Sequence, residues 1–167
     1  SVIALLTDFG TEDIFVGVMK GVIAGIAPEA RVVDLTHAIP PFDIVQGAFK
    51  LRQACPFFPP ETIFAAVVDP GVGGPRKPVA MRSNGQTFVA PDNGILALVD
   101  RQFGHEALVE LKESRFFLPE VSRTFHGRDI FAPAAAHAAN GVAIREFGPL
   151  LERLTPLCVP EPVERDG

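Results

Sequence analysis

Two short apolar runs, each followed by an aspartate, constrain the fold of this chain more than any other feature. Val2–Leu6 leads through Thr7 to Asp8, and Thr62–Val68 leads directly to Asp69. Neither run alternates between apolar and polar residues, as a strand with one face in water would. We therefore predict two strands that are buried on both faces, as in a parallel sheet between helices. Both aspartates would then lie at the carboxyl ends of strands, where ligands bind in such folds.

Helical patterns alternate with strands along the chain. Apolar residues recur at helical spacing over Ile14–Ile26, with Asp13 as the expected N-cap. The Asn84-Gly85 pair predicts a hairpin, so the sheet should be mixed. We predict a three-layer α/β/α sandwich with a mostly parallel, mixed central sheet. The other predicted elements are strands at Arg31–Leu35, Pro78–Arg82 and Gln86–Ala90, and helices at Ile44–Gln53 (capped by Asp43), Gly94–Phe103 and Arg128–Asn140.

The composition favours one compact domain. Of the 167 residues, 47% are hydrophobic and 21% charged, which excludes a disordered chain and fits a well-filled core. The last residues are polar and interrupted by prolines. We therefore predict a domain over residues 1–158 and the start of an inter-domain linker over 159–167.

Charge and cysteine content exclude several kinds of partner. The net charge is -5, with no basic face to neutralise the phosphates of nucleic acid or an anionic membrane, so a small-molecule ligand is expected. Cys55 and Cys158 lie far apart without metal-binding spacing, which predicts neither a disulfide nor a zinc site and favours the reducing cytoplasm. No apolar run reaches the roughly 18 to 20 residues of a membrane span, and the apolar opening lacks the basic flank of a signal peptide.

Three segments place polar side chains where a buried strand or helix does not require them. They are Thr7–Gly10 with Asp13, Asp69–Arg76 and Phe125–Asp129. The glycines of the second segment let the backbone approach a ligand and let Arg76 fold back toward the Asp69 carboxylate. His126 precedes a predicted helix, so an Asp, an Arg and a His are expected to converge on one cavity.

Each of these residues also has a simpler, purely structural interpretation. Asp69 and Arg76 can form an ordinary loop salt bridge, and Asp129 can act only as an acid that favours a helix N-terminus. The loop after Asp69 lacks the Lys-Ser/Thr pair of a P-loop and the full dinucleotide glycine pattern, so phosphate binding is not expected. Surface or structural positions are expected for the isolated His37, His105 and His137, and core positions for Phe42 and Phe125 taken singly.

In this order and spacing the motifs resemble those of the S-adenosylmethionine (SAM) hydroxide adenosyltransferases, the adenosyl-forming SAM hydrolases related to fluorinase and chlorinase. The resemblance runs from about Ile3 to Leu157. It implies that residues 1–158 are the family's N-terminal α/β catalytic domain, that a C-terminal β-barrel domain is absent from this chain, and that the protein forms a homotrimer with sites shared between subunits. The motifs are Leu6–Gly10, Val33–His37, Ile39–Asp43, Val68–Gly73, Ala90–Gly94 and Phe125–Asp129.

The resemblance also implies roles for individual residues. Asp69, Arg76 and His126 would form the catalytic set around an attacking water, and Asp8 would accept hydrogen bonds from the ribose hydroxyls. No metal and no cofactor is implied, because SAM is the substrate. The implied substrate-binding residues are Asp8, Asp13, Phe42, Val72, Phe125 and Gly127.

The implied reaction is hydrolysis of SAM to adenosine and L-methionine by attack of water or hydroxide on the ribose 5′ carbon. The leaving group is a neutral thioether, so the site has only to position an oxygen nucleophile and remove its proton. Which group finally holds that proton stays open. The alternatives are a SAM-dependent halogenase, a metal-dependent nucleoside hydrolase with Asp8, Asp13, Asp69 and His126 as ligands, and a non-catalytic module that binds SAM or adenosine. By the same resemblance, halogenases carry a Tyr where this chain has Asp69, and this chain contains no Tyr.

Overall fold

A six-stranded sheet with the order β2-β1-β3-β5-β4-β6 forms the centre of the protein. The computed structural model describes residues 1–159. Neighbouring strands are parallel from β2 to β5, whereas β4 is antiparallel to both β5 and β6. The mostly parallel, mixed sheet predicted from the sequence is therefore confirmed. The strands are β1 (Val2–Thr7), β2 (Arg31–Thr36), β3 (Ile63–Val67), β4 (Pro78–Ser83), β5 (Gln86–Pro91) and β6 (Ala107–Glu110).

Helices cover both faces of the sheet. Successive side chains of β1 point to opposite faces, so Ile3 and Leu5 pack in one buried cluster and Ala4 and Leu6 in the other. Helices α1 and α4 contribute to the first cluster, and α2 and α3 to the second. This arrangement is the predicted three-layer sandwich, and it explains why the strands lack polar residues. The helices are α1 (Phe15–Ile26), α2 (Ile44–Ala54), α3 (Ala97–Phe103) and α4 (Ala132–Ala139).

The two predicted helix caps have different outcomes. The Asp43 carboxylate accepts a hydrogen bond from the Gln46 backbone N–H at 3.0 Å, so it caps α2 as expected. The predicted Asp13 cap of α1 is wrong. Helix α1 begins at Phe15 with Ile14 as its N-cap residue, and the Asp13 carboxylate accepts only from the adjacent Ile14 N–H, at 2.7 Å. A capping carboxylate reaches the second or third N–H of the helix, which Asp13 does not.

The second half of the sheet shows further agreements and corrections. Asn84 and Gly85 both have positive φ (51° and 73°), as the predicted two-residue hairpin turn requires. Helix α3 starts at Ala97 rather than at the predicted Gly94, whose φ of 101° is not helical. Strand β6 was not predicted because four residues carry too little periodicity. The predicted linker over 159–167 lies, except for its first residue, outside the described residues.

Strand order creates a crevice at the carboxyl ends of β1 and β3. From β1 the chain passes through α1 to β2 on one side, and then through α2 to β3 on the other side of β1. Loops that leave neighbouring strands in opposite directions separate from each other, which leaves room for a ligand. Asp8 directly follows β1, and Asp69 is separated from the end of β3 by Val68, so both lie at this crevice.

The predicted helix over 128–140 is interrupted at its start by a π-helical turn, Gly127–Phe131. The Ala132 N–H donates to the Gly127 carbonyl, five residues earlier. Pro133 has no N–H to offer the Asp129 carbonyl, which instead accepts from the Leu118 N–H at 3.0 Å. The missing donor and the substitute partner together explain why regular α-helix begins only at Ala132.

Candidate active site

A cavity of about 340 Å³ opens at the carboxyl ends of β1 and β3. It contains most of the residues that the sequence pointed to, drawn from four loops that are far apart along the chain. A larger cavity, of about 460 Å³, lies near the amino ends of the strands and contains none of them. The predicted residues that line the first cavity are Asp8, Phe42, Asp69, Val72, Phe125, His126 and Gly127.

Arg76 lies behind Asp69 and holds its carboxylate with two hydrogen bonds. The Arg76 Nε donates to Asp69 Oδ1 at 2.9 Å, and Arg76 Nη2 donates to Asp69 Oδ2. The side chains are only 10% and 6% exposed, and the guanidinium also faces the Phe131 ring at 5.6 Å. Such two-point contacts fix a carboxylate in orientation as well as in position. Each carboxylate oxygen keeps a further lone pair, so Asp69 can also accept from a group in the cavity.

His126 continues this series of contacts. Its Nδ1 lies 2.8 Å from Arg76 Nη2, and its Nε2 lies 2.8 Å from the Ser122 carbonyl oxygen. A guanidinium only donates and a carbonyl only accepts, so the ring is neutral with its proton on Nε2. Burial, followed by the nearby positive charge of Arg76, lowers the pKa of His126 below its ordinary value, in agreement with a neutral ring. His126 is therefore placed to orient Arg76.

The fully buried carboxylate of Asp129 fixes the backbone that His126 contacts. It accepts from the Ser122 N–H at 2.8 Å and from the Arg128 guanidinium at 2.6 and 3.2 Å. Burial alone would raise the pKa of Asp129, but the hydrogen bonds from Arg128 and Ser122 lower it overall. The Ser122 hydroxyl in turn accepts from the Phe125 N–H at 3.0 Å. Asp129 thus contacts the 122–126 loop as well as lying in the first helical turn.

Asp8 lines the same cavity and is held by a backbone contact. Its Oδ2 accepts from the Phe42 N–H at 2.8 Å. Phe42 has a φ of 64°, a left-handed conformation that is strained for a residue with a side chain. The residue is 64% exposed, so the core position expected for it from the sequence is wrong. Backbone strain of this kind concentrates at functional sites. Here it aims the Phe42 N–H at Asp8 and leaves the aromatic ring at the cavity mouth.

Two predicted site residues do not line this cavity: Arg76, which lies behind its wall, and Asp13. Asp13 lies with Phe9 and Gly10 in an adjacent surface depression. Its proposed contact with substrate therefore stays a prediction. Within residues 1–159, no group of three or more His, Cys, Asp or Glu side chains is arranged to hold a metal ion, and no helix is long and apolar enough to span a bilayer.

Several contributors to the site were missed by the sequence analysis. Ser122 acts through its main chain, for which a sequence carries no signal. The rings of Phe9, Phe15 and Phe125 form a cluster with centroid distances of 5.1 to 6.0 Å. The Phe9-Gly10 pair directly after Asp8 was the available sequence signal for Phe9. The cavity residues that were not assigned roles are Phe9, Pro41, Val67 and Thr124.

The fold and the site define a doubly wound α/β domain with an Asp-Arg-His set at its ligand crevice. The family model described as "SAM hydroxide adenosyltransferase N-terminal domain" matches residues 3–148, and the chain belongs to this family. The resemblance seen in the sequence is thereby confirmed.

Relatives of known name and structure agree with this assignment. An (R)-S-adenosyl-L-methionine hydrolase of Salinispora tropica is 43% identical over 98% of this chain and 62% of its own length. A fluorinase of an Actinoplanes species is more distant, at 29% identity over 88% of this chain and 57% of its own length. The crystal structure of an uncharacterized conserved protein from Thermotoga maritima superposes with a TM-score of 0.93 at 42% identity, over 96% of this chain and 63% of that one. The chain therefore spans about three fifths of the length of these relatives.

Proposed function

We propose that the complete protein hydrolyses SAM to adenosine and L-methionine, with Asp69, Arg76 and His126 at the reacting centre. The observation that carries this proposal is the Asp69 carboxylate on the cavity wall, held from behind by Arg76 and facing the same space as Asp8. The names of the relatives at 43% identity support the same reaction.

The proposed step is an in-line displacement at the ribose 5′ carbon. A water oxygen forms a bond to this carbon while the carbon–sulfur bond breaks and its electron pair neutralises the sulfonium. The water releases one proton, which ends in the solvent. Asp69 accepts a hydrogen bond from this water and orients it, while Arg76 and His126 keep the carboxylate in place. No general acid is needed, because methionine leaves as a neutral thioether. The scheme uses no metal and no cofactor.

The remaining cavity residues bind the substrate in this proposal. Asp8 accepts hydrogen bonds from the ribose hydroxyls, and the two carboxylates of the cavity attract the cationic sulfonium. The apolar walls contact the nucleoside and exclude water, which strengthens these charge interactions. The wall residues concerned are Phe42, Val72, Phe125 and Gly127, with Asp13 nearby.

We further propose that the complete protein is a cytoplasmic homotrimer in which a neighbouring subunit completes each site. Free cysteines at positions 55 and 158 support a reducing compartment. Exposed large apolar side chains at the segments that carry the site support a covered interface there. These side chains are Ile14, Phe15, Phe42 and Val121, which are 41% to 70% exposed.

The test is to incubate the complete protein with SAM and to separate the products by chromatography. We expect adenosine and L-methionine in equal amounts, and the same rate after treatment with a chelator. SAM that is bound but not consumed would favour a non-catalytic module, and loss of activity in chelator would favour a metal-dependent enzyme.

Halide should not replace water as the nucleophile. A carboxylate at Asp69 repels an anion in the cavity but accepts a hydrogen bond from water. We therefore expect adenosine to remain the main product in buffers that contain chloride or fluoride. Mass spectrometry that finds mostly 5′-chloro- or 5′-fluoro-5′-deoxyadenosine would overturn the hydrolase assignment in favour of a halogenase.

The pH dependence should reflect the neutral His126 ring. Protonation would place a donor on Nδ1 against the Arg76 guanidinium and break that contact, but burial and Arg76 lower the pKa of His126 from its ordinary 6.5. We expect the acid limb of kcat/KM, a ratio that reports the free enzyme, to have its midpoint below pH 6.5. An acid limb centred at or above 6.5 that disappears in His126→Gln would contradict this.

A further inference from the structure

His37 and Thr7 are buried polar side chains that the proposed reaction does not use. The sequence predicted a surface or structural position for His37, and the structure shows the second: its side chain is only 3% exposed and belongs to a series of contacts. His37 Nδ1 lies 2.8 Å from Thr7 Oγ1, and His37 Nε2 lies 2.8 Å from Asp34 Oδ1. Lys20 Nζ donates to the other Asp34 oxygen at 2.6 Å. We call Lys20, Asp34, His37 and Thr7 the relay.

The protons of the relay can be assigned from its ends. Burial alone would raise the pKa of Asp34, but hydrogen bonds from His37 and Lys20 lower it, so the carboxylate is charged and accepts from His37 Nε2. At the other end, the Phe9 N–H donates to Thr7 Oγ1 at 3.2 Å. The Thr7 hydroxyl is then free to donate to His37 Nδ1, and every member of the relay has a partner.

An acid, an imidazole and a hydroxyl in this order can activate a nucleophile, but the burial of Thr7 argues against that role here. Its exposed fraction is 0%, and its oxygen is already engaged by the His37 ring and the Phe9 N–H. Thr7 does not line the cavity that holds Asp69. A nucleophile must reach its substrate, so the relay has to act through what it holds.

The relay holds the backbone on both sides of Asp8. Thr7 precedes Asp8, and Phe9, which follows it, donates to the Thr7 hydroxyl. The Gly10 N–H donates to the His37 carbonyl at 2.9 Å, so the loop after β1 is also tied to the loop after β2. The Asp8 side chain leaves this anchored backbone toward the cavity, where it meets the Phe42 N–H.

We propose that the relay positions Asp8 for the ribose hydroxyls of the nucleoside, so that Thr7 and His37 are positioning residues for substrate binding. This inference rests on the function proposed for the site. A purely structural relay would affect only folding stability. A positioning relay must also change nucleoside affinity, and must do so only while Asp8 is present.

The variants that test the proposal differ by single groups. Thr7→Val keeps the shape of Thr7 but removes its hydroxyl, whereas Thr7→Ser keeps the hydroxyl. Thr62→Val is the matched control, because Thr62 is also buried and donates from its hydroxyl to the Pro59 carbonyl at 2.7 Å, far from the cavity. Each change is made in the complete protein, alone and together with Asp8→Ala, and thermal unfolding identifies the temperature range in which the variants are folded.

We expect Thr7→Val to weaken adenosine binding, measured by calorimetry, and to raise KM for SAM by about 10-fold, while kcat changes by less than about 3-fold. Thr7→Ser should restore affinity to within about 2-fold of the parent, and Thr62→Val should leave it unchanged. In the Asp8→Ala background, Thr7→Val should have almost no further effect on affinity, since residues that act through one another are not additive. If Thr7→Val does not fold, His37→Gln breaks the relay one contact earlier with the same expected result.

Two outcomes overturn the inference alone. The first is that folded Thr7→Val binds adenosine normally. The second is that Thr7→Val lowers adenosine affinity equally with and without Asp8, in a protein that still hydrolyses SAM. A complete parent protein that neither binds adenosine nor consumes SAM would overturn the proposed function, and this inference with it.

Discussion

Replacing Asp69 by asparagine in the complete protein should lower kcat for adenosine release by about 100-fold or more, the usual cost of removing a group that accepts or orients a proton in the reaction. Asparagine keeps the size of the side chain but loses the charge and one of the two oxygens that Arg76 holds. SAM binding should suffer less, because Asp8 and the apolar walls are unchanged. The measurement is kcat together with the dissociation constant of SAM.

Asp100→Asn is the matched control for this change. Asp100 is also paired with a basic side chain, His105, at 2.7 Å, but on α3, which lines no part of the cavity. We expect its kcat to equal that of the parent. Turnover near the parental level in folded Asp69→Asn would remove Asp69 from the mechanism and leave the Asp69–Arg76 pair as an ordinary loop salt bridge.

Replacing Gly73 by alanine should damage the site through a contact between two loops. Gly73 has a φ of 75°, and a Cβ built on it would lie 2.3 Å from the Arg123 carbonyl oxygen. Such a distance forces the 122–126 loop to move, and this loop carries the Ser122 carbonyl that holds His126. Displacement of a catalytic group by about 1 Å can cost roughly 100-fold in rate, and we expect a loss of kcat/KM of that order.

Gly85→Ala separates this effect from the backbone strain alone. Gly85 has a nearly identical φ of 73°, but no heavy atom lies within 4 Å of the Cβ it would acquire. Both variants should lose about 1 to 2 kcal/mol of stability from the left-handed conformation, and Gly73→Ala should lose more because of its clash with the Arg123 carbonyl. Only Gly73→Ala should lose activity, and equal activities for the two folded variants would show that the loop contact does not matter to the site.

The sequence was sufficient to predict the parts of the site that depend on the ends of strands. Asp8 and Asp69 end apolar runs, and the glycines after Asp69 indicated a loop that could return Arg76 to it. These features follow from local patterns, because burial of a strand on both faces is visible in its residues.

Other parts depend on contacts that no local pattern records. The tautomer of His126 is set by the carbonyl of Ser122, and any residue supplies a carbonyl. The role of His37 requires the parallel pairing of β1 with β2, which brings Thr7 beside it, and an isolated histidine gives no indication of that. The Asp13 cap was wrong because α1 begins one residue later than the apolar pattern indicated, so the Asp13 carboxylate reaches only the N–H of its neighbour Ile14.

The π turn before α4 allows the two ends of one helix to face different partners. Such a turn contains about one residue more than an α-helical turn, so the side chains before it are rotated by roughly 100° relative to an unbroken helix. The alanines of α4 pack against the sheet, while His126 faces the cavity and Arg76. In an uninterrupted α-helix the residues before Ala132 would be rotated by that angle while the alanines keep their contacts with the sheet, and the imidazole would point away from Arg76. The π turn therefore sets the angle between the alanine face of α4 and the side chain of His126.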